Sequence, residues 1–409
     1  MLQSISPAAA RRGRTVMLVD NFLMWGGFFM VIPLISIHYV GGLGWAAGAI
    51  GLVLAARQLT QQGLTVFGGA LADKLGAKWL ICVGMGIRTA SFVLMAYAAT
   101  YPLLLLSAVL AAIGGALFDA PSTAAMAALT PVEDRARFFS VLGVVRGLGM
   151  TIGPLAGAAL LHLDFSWVAL GAAACFAVAM AITLALMPQV QVAQGERGMV
   201  AGIAMALRDR RFMLFNALLI GYWFLWVQQT IVLPLIATEL AHTTDAVSWV
   251  YTVNAVIAVA LQYPVLRLFS RWLAPMPLLV LGLALMALAL GSVALAATIW
   301  HLLGSVALFS LGGVLASPSA QTVAADLADP AALGSYFGVN ALSLAIGGAI
   351  GNLSGGLLYG FGKSSQLPAL PWLVCMAVGL VAAAGLGLMS RATSVASVRR
   401  GLEGAPAGK

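Results

Sequence analysis

Charge is what this sequence has least of. Its 409 residues include 21 Lys and Arg and 13 Asp and Glu, so charged residues are 8% of the chain, against about a quarter in a soluble domain. With 62% hydrophobic residues and a mean hydropathy of +1.01, a water-facing globular surface cannot be covered. Soluble enzymes and nucleic-acid-binding proteins are thereby excluded. Metal ligands and thiols are also scarce. Cys82, Cys175 and Cys375 each sit in an apolar run and read as packing residues, not as a disulfide or zinc set. His38, His162, His242 and His301 fall near the outer ends of apolar segments and read as interfacial residues, so no metal site is expected. Polar stretches are short, which leaves no room for an ATP-hydrolysing or extracytoplasmic domain.

Long apolar runs are what the chain does have. A membrane span needs about 20 consecutive, mostly apolar residues. The hydropathy pattern gives spans at 16–38, 47–71, 79–100, 103–128, 138–161 and 167–187, then at 212–237, 247–269, 277–298, 301–325, 336–361 and 371–390. The expected fold is an all-α polytopic membrane protein of twelve transmembrane helices in two six-helix bundles. The first bundle is residues 1–187 and the second 212–409, ending in a short cytoplasmic tail. Residues 188–211 form a cytoplasmic linker whose end is a basic amphipathic turn on the membrane surface.

The formal charge of +8 follows this topology and does not point to nucleic acid. With the N-terminus inside, 17 of the 21 Lys and Arg fall on the cytoplasmic side and Lys363 alone falls outside. The positive-inside rule then puts both termini in the cytoplasm. The first apolar run is too long, and lacks the small-residue site, for a cleavable signal.

The halves repeat. "MVIPLIS" at 30–36 echoes in "IVLPLIA" at 231–237, "GGALFDAPS" at 114–122 in "GGVLASPS" at 312–319, and "SVLGV" at 140–144 in "SYFGV" at 335–339. Two parallel six-span repeats are the plan of a secondary transporter, with its site at the repeat interface.

Between spans two and three lies "GGALADKLGAK", residues 68–78. Glycines for close packing and a turn, with an acid and two bases, suit a latch between moving bundles, because a carboxylate can cap a helix N-terminus in one state and leave it in another. The segment resembles the major facilitator superfamily signature G-x-x-x-D-[RK]-x-G-x-[RK], matched by Gly69, Asp73, Lys74, Gly76 and Lys78. In span five, Gly149, Gly153, Pro154 and Gly157 resemble the G-x-x-x-G-P-x-x-G-G signature of the drug:proton antiporter branch, with Ala158 at the last glycine. Glycines four apart let a facing helix approach closely, and Pro154 removes a helical hydrogen bond. The branch's span-four arginine, in R-x-x-x-G, is absent, since Ala111 stands there. Arg88 or Arg57 is then the candidate to replace it.

Five ionisable residues lie within spans, Asp20, Arg57, Arg88, Asp119 and Arg146, all in the first half. Such groups are costly in a bilayer and mark ion or substrate pathways. Asp20, Asp119, Arg88 and Arg57 are the candidate proton-coupling set, with Asp20 first and Asp119 shared between proton carriage and the latch. Arg146, near the membrane edge, reads as interhelical glue. For substrate, the candidates are Trp223, Trp226, Gln228, Gln229 and Asn340 from the second half and Gln61 from the first. Aromatic walls with a few amides suit amphipathic or cationic organic molecules.

No nucleophile, base and metal set converges, and "GLGMTIG" lies inside a span with no preceding strand, so enzyme chemistry is not expected. The resemblance implies a monomer in the bacterial inner membrane that exports drugs against protons, draws on the proton gradient and needs no cofactor. A uniporter or metabolite symporter, or a non-transporting sensor of the same fold, is the alternative.

Overall fold

The computed structural model describes residues 6–131, 134–189, 199–329 and 332–403, with the side chains of 66–75, 135–137, 140, 199–200, 333–334 and 392–403 left aside. The helices are α1 Pro7–Ser36, α2 Ala47–Leu75, α3 Ala77–Ala96, α4 Tyr101–Leu129, α5 Arg135–Leu161, α6 Phe165–Leu186, α7 Met199–Arg208, α8 Arg210–Trp226, α9 Val232–Ala241, α10 Ala246–Phe269, α11 Pro275–Ser292, α12 Ile299–Leu327, α13 Leu333–Ser364 and α14 Leu370–Glu403. No strand occurs among the described residues. Eleven segments among them are long and apolar enough to cross a membrane, and α2 is the twelfth long helix.

Local chemistry sets the ends. α1 starts at Pro7, whose missing N–H costs nothing there, while Ser6 caps the turn by accepting from the Ala9 N–H at 3.3 Å. The arginine-bearing tail is therefore helical. Gly76, at φ +83°, makes the one-residue turn between α2 and α3 in a conformation that residues with a Cβ rarely adopt. The expected seventh span is broken: α8 passes through a 3₁₀ turn, Val227–Thr230, into α9. Pro234 cannot donate to the Thr230 carbonyl, and the Gln228 amide donates to Phe224 O at 2.8 Å and to Gly351 O of α13 at 3.1 Å.

Helices α1 to α6 pack into one bundle and α8 to α14 into another, and the two meet where α2 lies along α13 and α5 along α10. The bundles close on each other at the end away from the termini. Near that end, a methyl group on Gly51 would lie 2.5 Å from Asn352 O, and one on Gly348 would lie 3.1 Å from the Gln58 side chain. Towards the termini they part. Of α10 only Ala246, Val247, Val250 and Tyr251 are buried, while Val256, Val259 and Tyr263 stand exposed.

The connecting helix α7 packs on the second bundle. Ala206 joins Phe212, Tyr336 and Val339 in a small cluster apart from the main core, with Ile203 and Met205 packed against it, while Leu207 stays exposed.

The repeat is visible atom by atom. A methyl on Gly114 would meet Gly84 O at 2.5 Å and the Arg88 Cγ at 2.9 Å; one on Gly312 would meet Gly282 O at 2.6 Å and the Met286 Cγ at 2.8 Å. The α3–α4 crossing of the first bundle is thus rebuilt as the α11–α12 crossing of the second, with Met286 where the first bundle has Arg88.

Candidate functional site

The buried charges of the first bundle fall into three groups. In the first, Arg57 of α2 donates from Nη1 to Gln61 Oε1 at 2.8 Å and from Nη2 to Gln58 Oε1 at 3.0 Å, and Gln61 Nε2 donates to Asp119 Oδ2 of α4 at 2.9 Å. Gln61 therefore relays between the arginine and the acid. Arg88 of α3 enters the same space, its Nε donating to Ala111 O at 3.3 Å. The ring of Phe28 on α1 lies 4.8 Å from the Arg57 guanidinium and 5.3 Å from that of Arg88. A ring face stabilises a desolvated cation by up to about 2 kcal/mol.

Asp20 forms the second group by itself. It is fully buried, it accepts a short hydrogen bond from Thr183 Oγ1 of α6, and its other carboxylate oxygen, Oδ1, has no partner. Its face of α1 is turned to α6, so the structure does not bring it together with Arg57, Arg88 or Asp119. The third group is Arg146 of α5, which donates to Asn21 Oδ1 at 2.9 Å and lies 5.6 Å from the Trp25 ring. It joins α5 to α1.

Gly149, Gly153 and Gly157 line the same α1–α5 crossing. A methyl on Gly153 would lie 3.0 Å from the Met30 backbone nitrogen. Beside Pro154, this small-residue face is what lets the two helices touch. Of the inter-helix signature, Lys78 donates to Leu184 O at 2.9 Å and to Met187 O at 2.7 Å, satisfying carbonyls at the C-terminal end of α6. Gly69, Asp73 and Lys74 fall in the stretch 66–75, so the side chains of the acid and the base and the packing at the glycine lie outside what is described.

The second bundle offers a cavity of about 170 Å³ between α8, α10 and α12, lined by Tyr222, Trp226, Gln229, Asn254, Gln262 and Ser317 among others. Trp226 and Gln229 are thus at a cavity wall. Gln229 accepts from Asn254 Nδ2 at 2.9 Å, which holds that part of the wall. Trp223, with its indole nitrogen buried and unpartnered, packs beside Trp226 and α13. Gln228 is committed to backbone, and Asn340 donates to Asn216 Oδ1 at 2.8 Å, tying α13 to α8.

Sequence reading missed Phe28, Thr183 and Ser317. The repeat offset would have found Ser317, which stands opposite Asp119 when "GGALFD" is laid on "GGVLAS". It would also have found Gly347, Gly351 and Gly355 of α13, which face α8 and the turn into α9 as Gly149, Gly153 and Gly157 face α1. A hydroxyl in an apolar run, such as Thr183, carries no such signal.

Two bundles of membrane-crossing helices, the first with a buried polar cluster and the second with a cavity, have the plan of a membrane transporter. The Major Facilitator Superfamily profile matches residues 18–232 and again 214–408. The chain belongs to that family. It is 41% identical over 374 residues to the multidrug resistance protein MdtH of Yersinia pestis (strain Pestoides F), covering 91% of this chain and 93% of that one. In fold it is similar to the nucleoside transporter NupG, with a TM-score of 0.74 at 16% identity over 92% of this chain and 98% of that one. A bacterial homologue of the lysosomal transporter Spinster, in an inward-facing and unoccupied conformation, gives 0.77 at 13% identity over 94% and 98%. These relatives are transporters, not enzymes.

Proposed function

We propose that the protein exports amphipathic or cationic drugs across the bacterial inner membrane in exchange for protons, by alternating access, with Asp20 as the proton carrier. The observation that carries this reading is Asp20 itself: a fully buried acid with one hydroxyl donor and a second oxygen without a partner. An ionised carboxylate so enclosed, with no cation beside it, costs several kcal/mol. The geometry suits a protonated acid that must gain a partner, or water, when it releases its proton. The likeness to MdtH supports drugs as the cargo class.

In this reading both termini are cytoplasmic and the bundles part towards the cytoplasm. Drug enters there, between the Arg57–Gln61–Asp119 relay and the Trp226 cavity. Rocking of the bundles then opens the far side, where drug leaves and a proton is taken up. The gradient drives the cycle, no cofactor is required, and one chain in the bilayer suffices.

The test is proton movement in proteoliposomes on adding a cationic and a neutral drug, for wild type and Asp20→Asn. Drug-induced proton release from wild type alone supports exchange through Asp20. Drug movement without a proton signal in either protein would overturn it in favour of uniport.

A further inference from the structure

Two guanidinium groups, of Arg57 and Arg88, lie buried in the first bundle and a third, of Arg146, half-buried, and none has a carboxylate within 4 Å among the described residues, whose ion pairs all involve other side chains. Arg146 is held by Asn21. Arg57 and Arg88 share one space and the single acid Asp119, which reaches Arg57 only through Gln61. Arg57, 8% exposed, has its Nε without any partner. Arg88, 5% exposed, spends its Nε on a backbone carbonyl. Buried arginines are ordinarily paired, because an uncompensated charge there is strongly destabilising. Among the described residues this pair is short of one anion.

The repeat shows what lies opposite. At Gly115 of α4, an added methyl would lie 2.5 Å from Arg88 Nη2 and 2.8 Å from the Gln61 amide, so side chains fill that space. Its counterpart in α12, Gly313, has nothing within 4 Å and lines the second-bundle cavity instead. Met286 replaces Arg88, Ser317 replaces Asp119, and no charged residue lines the cavity. Parallel repeats related by an axis along the membrane normal set such counterparts across the bundle interface at one depth. One side is cationic and filled; the other is neutral, aromatic and open.

From this asymmetry we infer that Arg57 and Arg88 form an anion subsite, and that the transported molecule is an amphipathic acid: a carboxylate on the arginine pair, its aromatic body in the Trp226 cavity. The inference rests on the transport reading and narrows its cargo. Arginine suits this task, because its planar fork takes a carboxylate through two hydrogen bonds. The cationic cargo expected from the aromatic walls alone would meet the wrong charge on the first-bundle side.

The test uses two fluorescent probes that differ only in charge, dansylglycine and dansylglycinamide, titrated onto the purified full-length protein in detergent. A charge-assisted hydrogen bond contributes about 1.5–3 kcal/mol, so wild type should bind the acid roughly 10- to 100-fold more tightly than the amide. Arg57→Gln and Arg88→Gln should each cut the acid-to-amide ratio to about threefold or less, whatever the change in amide affinity itself, and a wild-type-like elution profile and unfolding temperature show that the variants are folded. Trp226→Ala should weaken both probes alike. Equal binding of acid and amide by wild type, no binding of either, or a preference that survives both arginine substitutions would overturn the inference. Proton release separates the two readings: acid preference without drug-induced proton release leaves the anion subsite standing and removes exchange, and the reverse outcome does the opposite.

Discussion

His162, at the C-terminal end of α5, bonds Asp245, at the start of α10, with Nε2 and Oδ1 2.9 Å apart. The contact ties the first bundle to the second at the end where they are already closed. Both side chains are about half exposed, 60% and 47%, so the pair contributes at most about 1 kcal/mol. That is still up to a fivefold change in a two-state population. Asp245→Asn should therefore raise the fraction opened at this end by roughly two- to fivefold, read as spin-label distances between the far ends of α5 and α10. The effect should fade in high salt. An unchanged distance distribution would make the pair an incidental surface contact.

The α1–α5 crossing gives a sharper contrast. A methyl on Gly153 would press on the backbone of Met30 at 3.0 Å and of Phe29 at 3.2 Å, and backbone cannot swing aside. A methyl on Gly147, six residues earlier, would meet nothing within 4 Å. Gly153→Ala should destabilise by about 1–3 kcal/mol, whereas Gly147→Ala should be neutral or slightly stabilising because alanine is the better helix former. Apparent unfolding temperatures of the two purified variants check this. Equal losses would mean that the helices are not packed as closely as described.

These contrasts mark what was legible in the chain. The spans could be read because hydropathy over about 20 residues is a property of composition alone. Depth could be read too, since Asp20, Arg57 and Arg88 can be counted from helix ends. Direction about the helix axis could not. Asp20 turns to Thr183 of α6 while Asp119 turns to Gln61 of α2, and nothing local to "LVDNF" or "LFDAP" separates them. The break at Val227–Thr230 was hidden because "VQQT" reads equally well as a polar stripe on a continuous helix. Only the partner, Gly351 O, makes Gln228 a tie between helices. The empty cavity was least legible, since it exists by the absence of a side chain that the other repeat has.

Thr183 is the sole donor to Asp20 among the described residues. Thr183→Val keeps the shape and removes the hydroxyl, which leaves both carboxyl oxygens unsatisfied at about 1–3 kcal/mol. On an Asp20→Leu background the same substitution removes a donor that no longer has its acceptor and should cost less. Thermal unfolding of the four proteins completes a double-mutant cycle, with a coupling of about 1–2 kcal/mol expected. Additive losses would show that the hydroxyl and the acid do not interact.

Acid stability should carry a small signature at the start of α6. Asp164 is its N-cap, accepting from the Ser166 N–H at 2.8 Å, and that hydrogen bond holds the carboxyl below its ordinary value. A depressed carboxylate contributes stability above the unfolded-state value near pH 4 and loses it as pH falls through the folded-state value. Asparagine caps as well but does not titrate. Wild type should therefore exceed Asp164→Asn slightly at pH 7, by about 1–2 °C in unfolding temperature, and the gap should close below about pH 4. A gap constant down to pH 3 would assign the cap to geometry alone.

The missing span-four arginine can be tested by moving a charge between helices. In the span-four pattern R-x-x-x-G of the branch that the span-five glycines resemble, the arginine would stand at Ala111, and in this protein Arg88 of α3 reaches the Ala111 carbonyl at 3.3 Å from the neighbouring helix. Its guanidinium lies near Phe28 and, at 5.6 Å, near Phe176, so the cation is delivered to that place by another backbone. Arg88→Ala should lower drug-driven proton exchange at least tenfold, since about 1.4 kcal/mol of lost interaction already suffices. Adding Ala111→Arg should recover part of it, because the vacated space can take the new side chain from α4. Ala111→Arg with Arg88 retained should lower folded yield instead, since Ala111 is only 2% exposed and the core has no room for both. Recovery in the double variant would mean that the position of the charge matters and the helix supplying it does not. A double variant as inactive as Arg88→Ala would tie the function to the α3 backbone, and Arg88 would then be a specific solution of this chain, not a substitute for the absent arginine.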